Sequence, residues 1–81
     1  MSDARPRGPR FHLTFPEHLI DEPVIHEVGQ RFGLVTNIRG ANVDERYAWV
    51  IIEIAGPEQA TQDAVAWLID RGITVERLGE G

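Results

Sequence analysis

Tyr47 to Ile54 is apolar at every position except Glu53. A strand that alternates apolar and polar residues covers one face of a sheet. A strand apolar on both parities must sit centrally, with both faces covered. In a chain of 81 residues this run therefore fixes the middle of the fold. A chain of this size buries roughly 60% of the surface it exposes when unfolded, enough for one core and one domain. The expected architecture is one small sheet whose centre includes this segment.

The flanking segments supply the rest. Phe11, Leu13 and Phe15 alternate with Arg10, His12 and Thr14, which predicts a strand with one buried face, closed by Pro16. Residues 16–22 read as a polar connection, with Asp21 and Glu22 before Pro23 as a helix start. Val24, Ile25, Val28 and Phe32 recur at helical spacing, and Gly33 stands where a left-handed C-terminal residue belongs. Leu34 to Val43 leans towards a strand interrupted by Gly40, followed by a polar turn at Asp44, Glu45 and Arg46. Gly56-Pro57 breaks the central strand and opens a second helix with the stripe Ala60, Ala64, Val65, Leu68 and Ile69. Gly72 ends it, and Ile73 to Leu78 forms the last strand.

The order is βαββαβ. Right-handed crossovers place both helices on one face of a four-stranded antiparallel sheet with strand order 4-1-3-2. This is the α+β, ferredoxin-like split βαβ architecture. Residues 1–9, with two prolines, one glycine and few apolar residues, are expected to be a disordered tail. Residues 10–79 form the single folded domain. The expected strand core is Phe11, Leu13, Phe15, Ile38, Val50, Ile52, Ile54, Ile73 and Val75.

Two helices cover only one face, so the other is open. The hairpin loop between the second and third strands sets which residues share that face. A three-residue loop puts Asn37, Arg39 and Ala41 beside Trp49, Ile51 and Glu53; a two-residue loop flips one strand relative to the other. The three-residue loop is preferred because it places Ile38 in the core with Val50 and Ile52. The open face then carries an apolar patch, the mark of a ligand or partner surface. Trp49 and Ile51 can wall a pocket or bury themselves in a dimer interface. Asn37 stands out because asparagine is depleted in strands. Its carboxamide offers a donor and an acceptor, suiting the carboxylate and ammonium of an amino acid; its bland alternative is an edge residue satisfied by backbone or water.

Several chemistries are excluded. Without cysteine there is no disulfide, thiolate metal site, Fe–S cluster or cysteine nucleophile. His12, His18 and His26 lack metal-ligand spacing, and the lone serine, Ser2, lies in the tail, so no cofactor, metal or catalytic site is expected. Residues 1–10 carry a net charge of +2 and residues 11–81 carry −7. An acidic body repels phosphate backbones, which argues against nucleic acid. There is no secretory h-region and no apolar run near the roughly 20 residues of a membrane span, so a cytoplasmic address without membrane insertion is expected.

A set of short motifs completes the reading. Arg31-Phe32, Asn37-Ile38, Glu53-Ile54-Ala55-Gly56, Thr61-Gln62-Asp63-Ala64-Val65-Ala66-Trp67-Leu68, Val75-Glu76 and Leu78-Gly79 together resemble the NIL domain. This is the ferredoxin-like, ACT-like domain found at the C-terminus of methionine-importer ABC ATPases, and the resemblance covers about residues 11–79. It implies a non-catalytic regulatory domain that binds L-methionine or a related sulfur metabolite at or near a homodimer interface. The family's ligand-binding asparagine falls on Asn37, followed by Ile38. With the open-face neighbours, the expected site is Asn37, Ile38, Arg39, Ala41, Trp49 and Ile51. Two departures flank it: a shorter hairpin around residues 44–46, and Ala48 where the family often has glycine. The chain carries no ATPase motif, so its output is expected to pass to a partner such as a transporter or sulfur-metabolism protein. The rival reading is a module whose open face docks a partner protein without a small ligand.

Overall fold

The structure, a computed structural model, describes residues 8–80. The elements are β1 (Pro9–Pro16), a 3-10 turn (Glu17–Leu19), α1 (Val24–Phe32), β2 (Val35–Val43), β3 (Tyr47–Ala55), α2 (Glu58–Asp70) and β4 (Thr74–Glu80). The sheet runs β2-β3-β1-β4 and every neighbouring pair is antiparallel. Read from the other edge this is the expected order 4-1-3-2, and the α+β, ferredoxin-like fold stands. Residues 1–7 of the expected tail lie outside the described residues. Pro9, counted with that tail, instead opens β1 and pairs with Glu80.

Both helices pack on one face. Phe11, Leu13 and Phe15 of β1 join Ala48, Val50, Ile52 and Ile54 of β3 and Ile73 before β4. Val24 and Val28 of α1 and Ala64 and Leu68 of α2 cover them, all in one buried cluster. The 3-10 turn adds Leu19, so the connection read as polar drives an anchor into the core. Half-buried Trp67 ties the helices together. It meets Phe32 edge-on at 5.9 Å, and the guanidinium carbons of Arg31 and Arg71 lie 5.2 and 5.0 Å from its ring centroid.

The helix ends follow their local chemistry only in part. Gly33 adopts φ +66, and the N–H groups of Gly33 and Leu34 both donate to Gly29 O, closing α1 in the left-handed cap that its glycine allows. Neither Asp21 nor Glu22 caps α1 through its side chain; Pro23 occupies the N-cap position, and Val24 N–H donates to Glu22 O at 2.8 Å. At Gly56, φ is +154, and an added Cβ would collide with Leu34 Cδ2. That glycine lets the chain leave β3 across the end of α1.

Three core assignments change. Ile38 lies opposite Ile52 on the helix side, yet it is 55% exposed. It sits on edge strand β2, where neighbouring helix side chains do not cover it. Val75 is half-buried against the core. Ile69 is exposed while its neighbour Leu68 is fully buried. That contrast is testable by urea denaturation: Leu68→Ala is expected to cost about 2–5 kcal/mol, whereas Ile69→Ala is expected to stay within about 0.5 kcal/mol of wild type.

Candidate functional site

The face of the sheet away from the helices is built from the other parity of the central strands. On β1 it carries Arg10, His12 and Thr14; on β3 it carries Trp49, Ile51 and Glu53. Register pairs Arg10 with Glu53, His12 with Ile51 and Thr14 with Trp49. The rings of His12 and Trp49 stack with centroids 5.5 Å apart and planes 22° apart. Imidazole, indole and Ile51 thus form a continuous half-buried floor.

How β2 joins this floor depends on one residue. From the hairpin inwards, Val43 faces Ala48, Asn42 faces Trp49, Ala41 faces Val50 and Gly40 faces Ile51. The register then slips at Arg39, and beyond it Ile38 faces Ile52, Asn37 faces Glu53, Thr36 faces Ile54 and Val35 faces Ala55. The tip follows the even register of a two-residue turn, closed by Asp44 N–H donating to Tyr47 O at 2.9 Å. The inner half follows the odd register expected of a three-residue loop. A β-bulge supplies the extra residue that reconciles them.

The bulge sorts the expected site residues. Asn37 reaches the open face beside Glu53. Arg39 does too: its Nη1 lies 3.9 Å from Glu53 Oε1. Trp49 and Ile51 are there as expected. Ile38 and Ala41 are not. Ile38 shares the helix side with Ile52, and Ala41 shares it with Val50, because the bulge reverses parity between Asn37 and Ala41. Gly40 and Asn42 take the place expected for Ala41; a Cβ built on Gly40 would lie 3.9 Å from the Trp49 ring. A glycine inside a strand pattern is the sequence signal of such a bulge.

Two features of the face exceed the sequence reading. His12, read from the sequence only as lacking metal-ligand spacing, stacks on the tryptophan. Glu53 was expected on this face, but not its burial: it is 4% exposed.

The face is a shelf rather than a cavity. Two concavities lie on the helix side. One of about 570 Å³ runs between α2 and the β1–β4 edge, past Phe11, Val65, Ile69, Val75 and Arg77. Another of about 180 Å³ lies between α1 and the hairpin, past Phe15, Ile25, Val43 and Val50. Neither includes Asn37, Trp49 or Glu53. The first groove is the more voluminous of the two; the shelf instead sets charged and amide side chains beside an aromatic floor. Among the described residues, no group of three or more His, Cys, Asp or Glu side chains could hold a metal ion, and no helix is long and apolar enough to cross a membrane.

Comparison with known proteins places the chain in context. The family model described as the NIL domain matches residues 9–77. The methionine import ATP-binding protein MetN of Escherichia coli is 33% identical over 75 residues, covering 88% of this chain and 22% of that protein. A methionine import ATP-binding protein of Salmonella choleraesuis is 32% identical over 75 residues, with the same coverage of 88% and 22%. The chain thus spans about a fifth of the length of these curated relatives, at 22%. The crystal structure of the C-terminal domain of an ABC transporter ATP-binding protein from Enterococcus faecalis superposes with a TM-score of 0.76 at 20% identity, covering 88% of this chain and 83% of that one. That likeness is one of fold.

The bulge can be checked in solution. Nuclear Overhauser spectra are expected to connect the Trp49 indole with the His12 ring and the Gly40 α-protons, and the Ala41 methyl with Val50. A strong Ala41 methyl to indole contact would instead require the unbulged odd register throughout the hairpin.

Proposed function

The chain belongs to the NIL domain family, and we propose that it is a non-catalytic sensing domain that binds L-methionine or a related sulfur metabolite on the open face of its sheet. The observation that carries this reading is the juxtaposition of Asn37, the position matching the family's ligand-binding asparagine, with the Trp49–His12–Ile51 floor. A carboxamide can hydrogen-bond a charged end of an amino acid, and an indole with an isoleucine can desolvate a thioether.

A shelf covers a ligand on one side only. A small ligand held tightly is usually mostly enclosed, so the site needs a second wall. A second copy of the same chain supplies one under two-fold symmetry, with each open face closing the other. The proposed unit is therefore a homodimer with methionine near its interface. The curated relatives are methionine import ATP-binding proteins. By extension, the proposed output is control of a methionine transporter or another sulfur-metabolism protein on the cytoplasmic side of the membrane.

Two measurements test this. Light scattering at high protein concentration is expected to give the mass of a dimer; a monomer would remove the second wall. Calorimetry is expected to show L-methionine binding, weakened at least roughly tenfold in Asn37→Ala with the fold retained, since loss of a hydrogen bond to a charged group has about that effect. If millimolar methionine gives no binding, the ligand reading gives way to a module that docks a partner protein.

A further inference from the structure

Residues 11–81 hold five arginines against twelve acids, so an arginine of this body has many carboxylates within its choice. Two arginines take none. Among the described residues, neither Arg31 near the end of α1 nor Arg71 just past α2 has an ion pair or a side-chain hydrogen bond. Both guanidinium groups lie instead over the indole of Trp67, their central carbons 5.2 and 5.0 Å from its centroid. Acids stand near in sequence without being enlisted. Glu27 precedes Arg31 by one turn of α1, a spacing that pairs helix side chains. Asp63 precedes Trp67 by one turn of α2 and accepts from Gln59 Nε2 at 2.9 Å. A positive charge near a helix C-terminus is favourable, which accounts for each arginine alone. It does not account for two cations gathered on one ring.

The arrangement carries its charge to the surface. A guanidinium held over an aromatic ring keeps N–H donors along its planar edge, and the ring fixes its position before any partner arrives. Arg31 is exposed and Arg71 half-buried. Arg71 Nε is sealed without a hydrogen-bond partner, so the base of that guanidinium is packed in place and its Nη end is the part a partner meets. The two guanidinium carbons flank one centroid and stand no more than about 10 Å apart, within reach of two carboxylates one turn apart on a helix, whose Cβ atoms are about 5–6 Å apart. We infer that Arg31, Trp67 and Arg71 form a docking site for an acidic segment of a partner protein. Arginine and tryptophan are the residue types that dominate interface energetics. Residues 11–81 carry a net charge of −7, so the rest of the body repels such a segment and steers it to this point. The site belongs to the helix layer, on the other side of the sheet from the open face. The inference therefore does not depend on the methionine reading, and both surfaces can be occupied at once.

The test is a nuclear magnetic resonance titration of the full chain, read at the Trp67 indole N–H and the Arg31 and Arg71 Nε–H signals. Three probes are used: an end-capped, alanine-rich helical peptide with glutamates at positions i and i+4, the same peptide with glutamines there, and inorganic phosphate. The glutamate peptide is expected to shift these signals to saturation, and the glutamine peptide to bind at least roughly tenfold more weakly. Raising the salt concentration is expected to weaken the glutamate peptide, because the charges are near solvent. The double substitution Arg31→Gln with Arg71→Gln is expected to cost at least roughly tenfold in its affinity, whereas Arg46→Gln in the hairpin leaves it unchanged. Equal binding of the two peptides overturns the inference, as do shifts confined to other arginines or no shift at all. Phosphate that saturates the same signals as tightly as the glutamate peptide also overturns it, since the site then takes any small oxyanion. The comparison of probes needs no variant, so a doubly substituted chain that fails to fold still leaves the wild-type ratios to decide.

Discussion

Everything in this fold hangs from the pairing of β1 with β3. That ladder runs from Arg10 opposite Glu53 to Pro16 opposite Tyr47 without a slip. Because side chains alternate with period two, an unslipped ladder locks both faces at once. It aligns Phe11, Leu13 and Phe15 with Ile52, Val50 and Ala48 under the helices, and His12 and Thr14 with Ile51 and Trp49 on the outside. The irregularities are pushed to the edges. β2 slips at Arg39, and β4 slips between the partners of Arg10 and Phe11, leaving Leu78 unpaired and half exposed. Bulged edges offer a poor template for further strand pairing.

This division explains what the sequence made legible. The central strands follow simple rules: strict alternation in residues 11–15 and a doubly apolar run in residues 47–54, each read with its partner and face intact. The helices followed from spacing, with the Gly33 cap and the Gly56-Pro57 break marking their ends. What failed was parity on one edge strand. Both hairpin registers were visible as alternatives, and the chain uses both, one on each side of Arg39. A residue count from the turn cannot reveal that, because the slip lies inside the strand. Gly40 was the available sign, read as an interruption rather than as a change of face. Ile38 failed for a different reason: its parity was right, but an edge position leaves an inward side chain uncovered.

The same geometry explains why the candidate site was only half legible. Asn37, Arg39, Trp49 and Ile51 could be grouped by alternation alone. Glu53 could be placed on the face, but its burial, between register neighbours Arg10 on β1 and Asn37 on β2, could not be read from its own strand. His12 gave no signal, since a lone histidine in an alternating strand has no pattern to distinguish stacking from solvation. Features that depend on one strand are readable from sequence; those that depend on side chains meeting across strands require the structure.

A shelf of this kind links ligand and assembly. Among the described residues, both helices pack on one face of the sheet, so neither helix covers the outer face. If the second wall is another copy, a ligand seated between two shelves binds the dimer better than the monomer. By linkage, whatever factor the ligand adds to association, association returns to ligand affinity. Under the proposed function, such a domain would report a small molecule through how firmly two copies hold each other, with the unslipped β1–β3 ladder as the common frame. Any larger assembly that carries the paired domains then feels the ligand as a constraint on the spacing between its halves. Here the stiffness of the central pair matters most, because a soft shelf would absorb the constraint instead of passing it on.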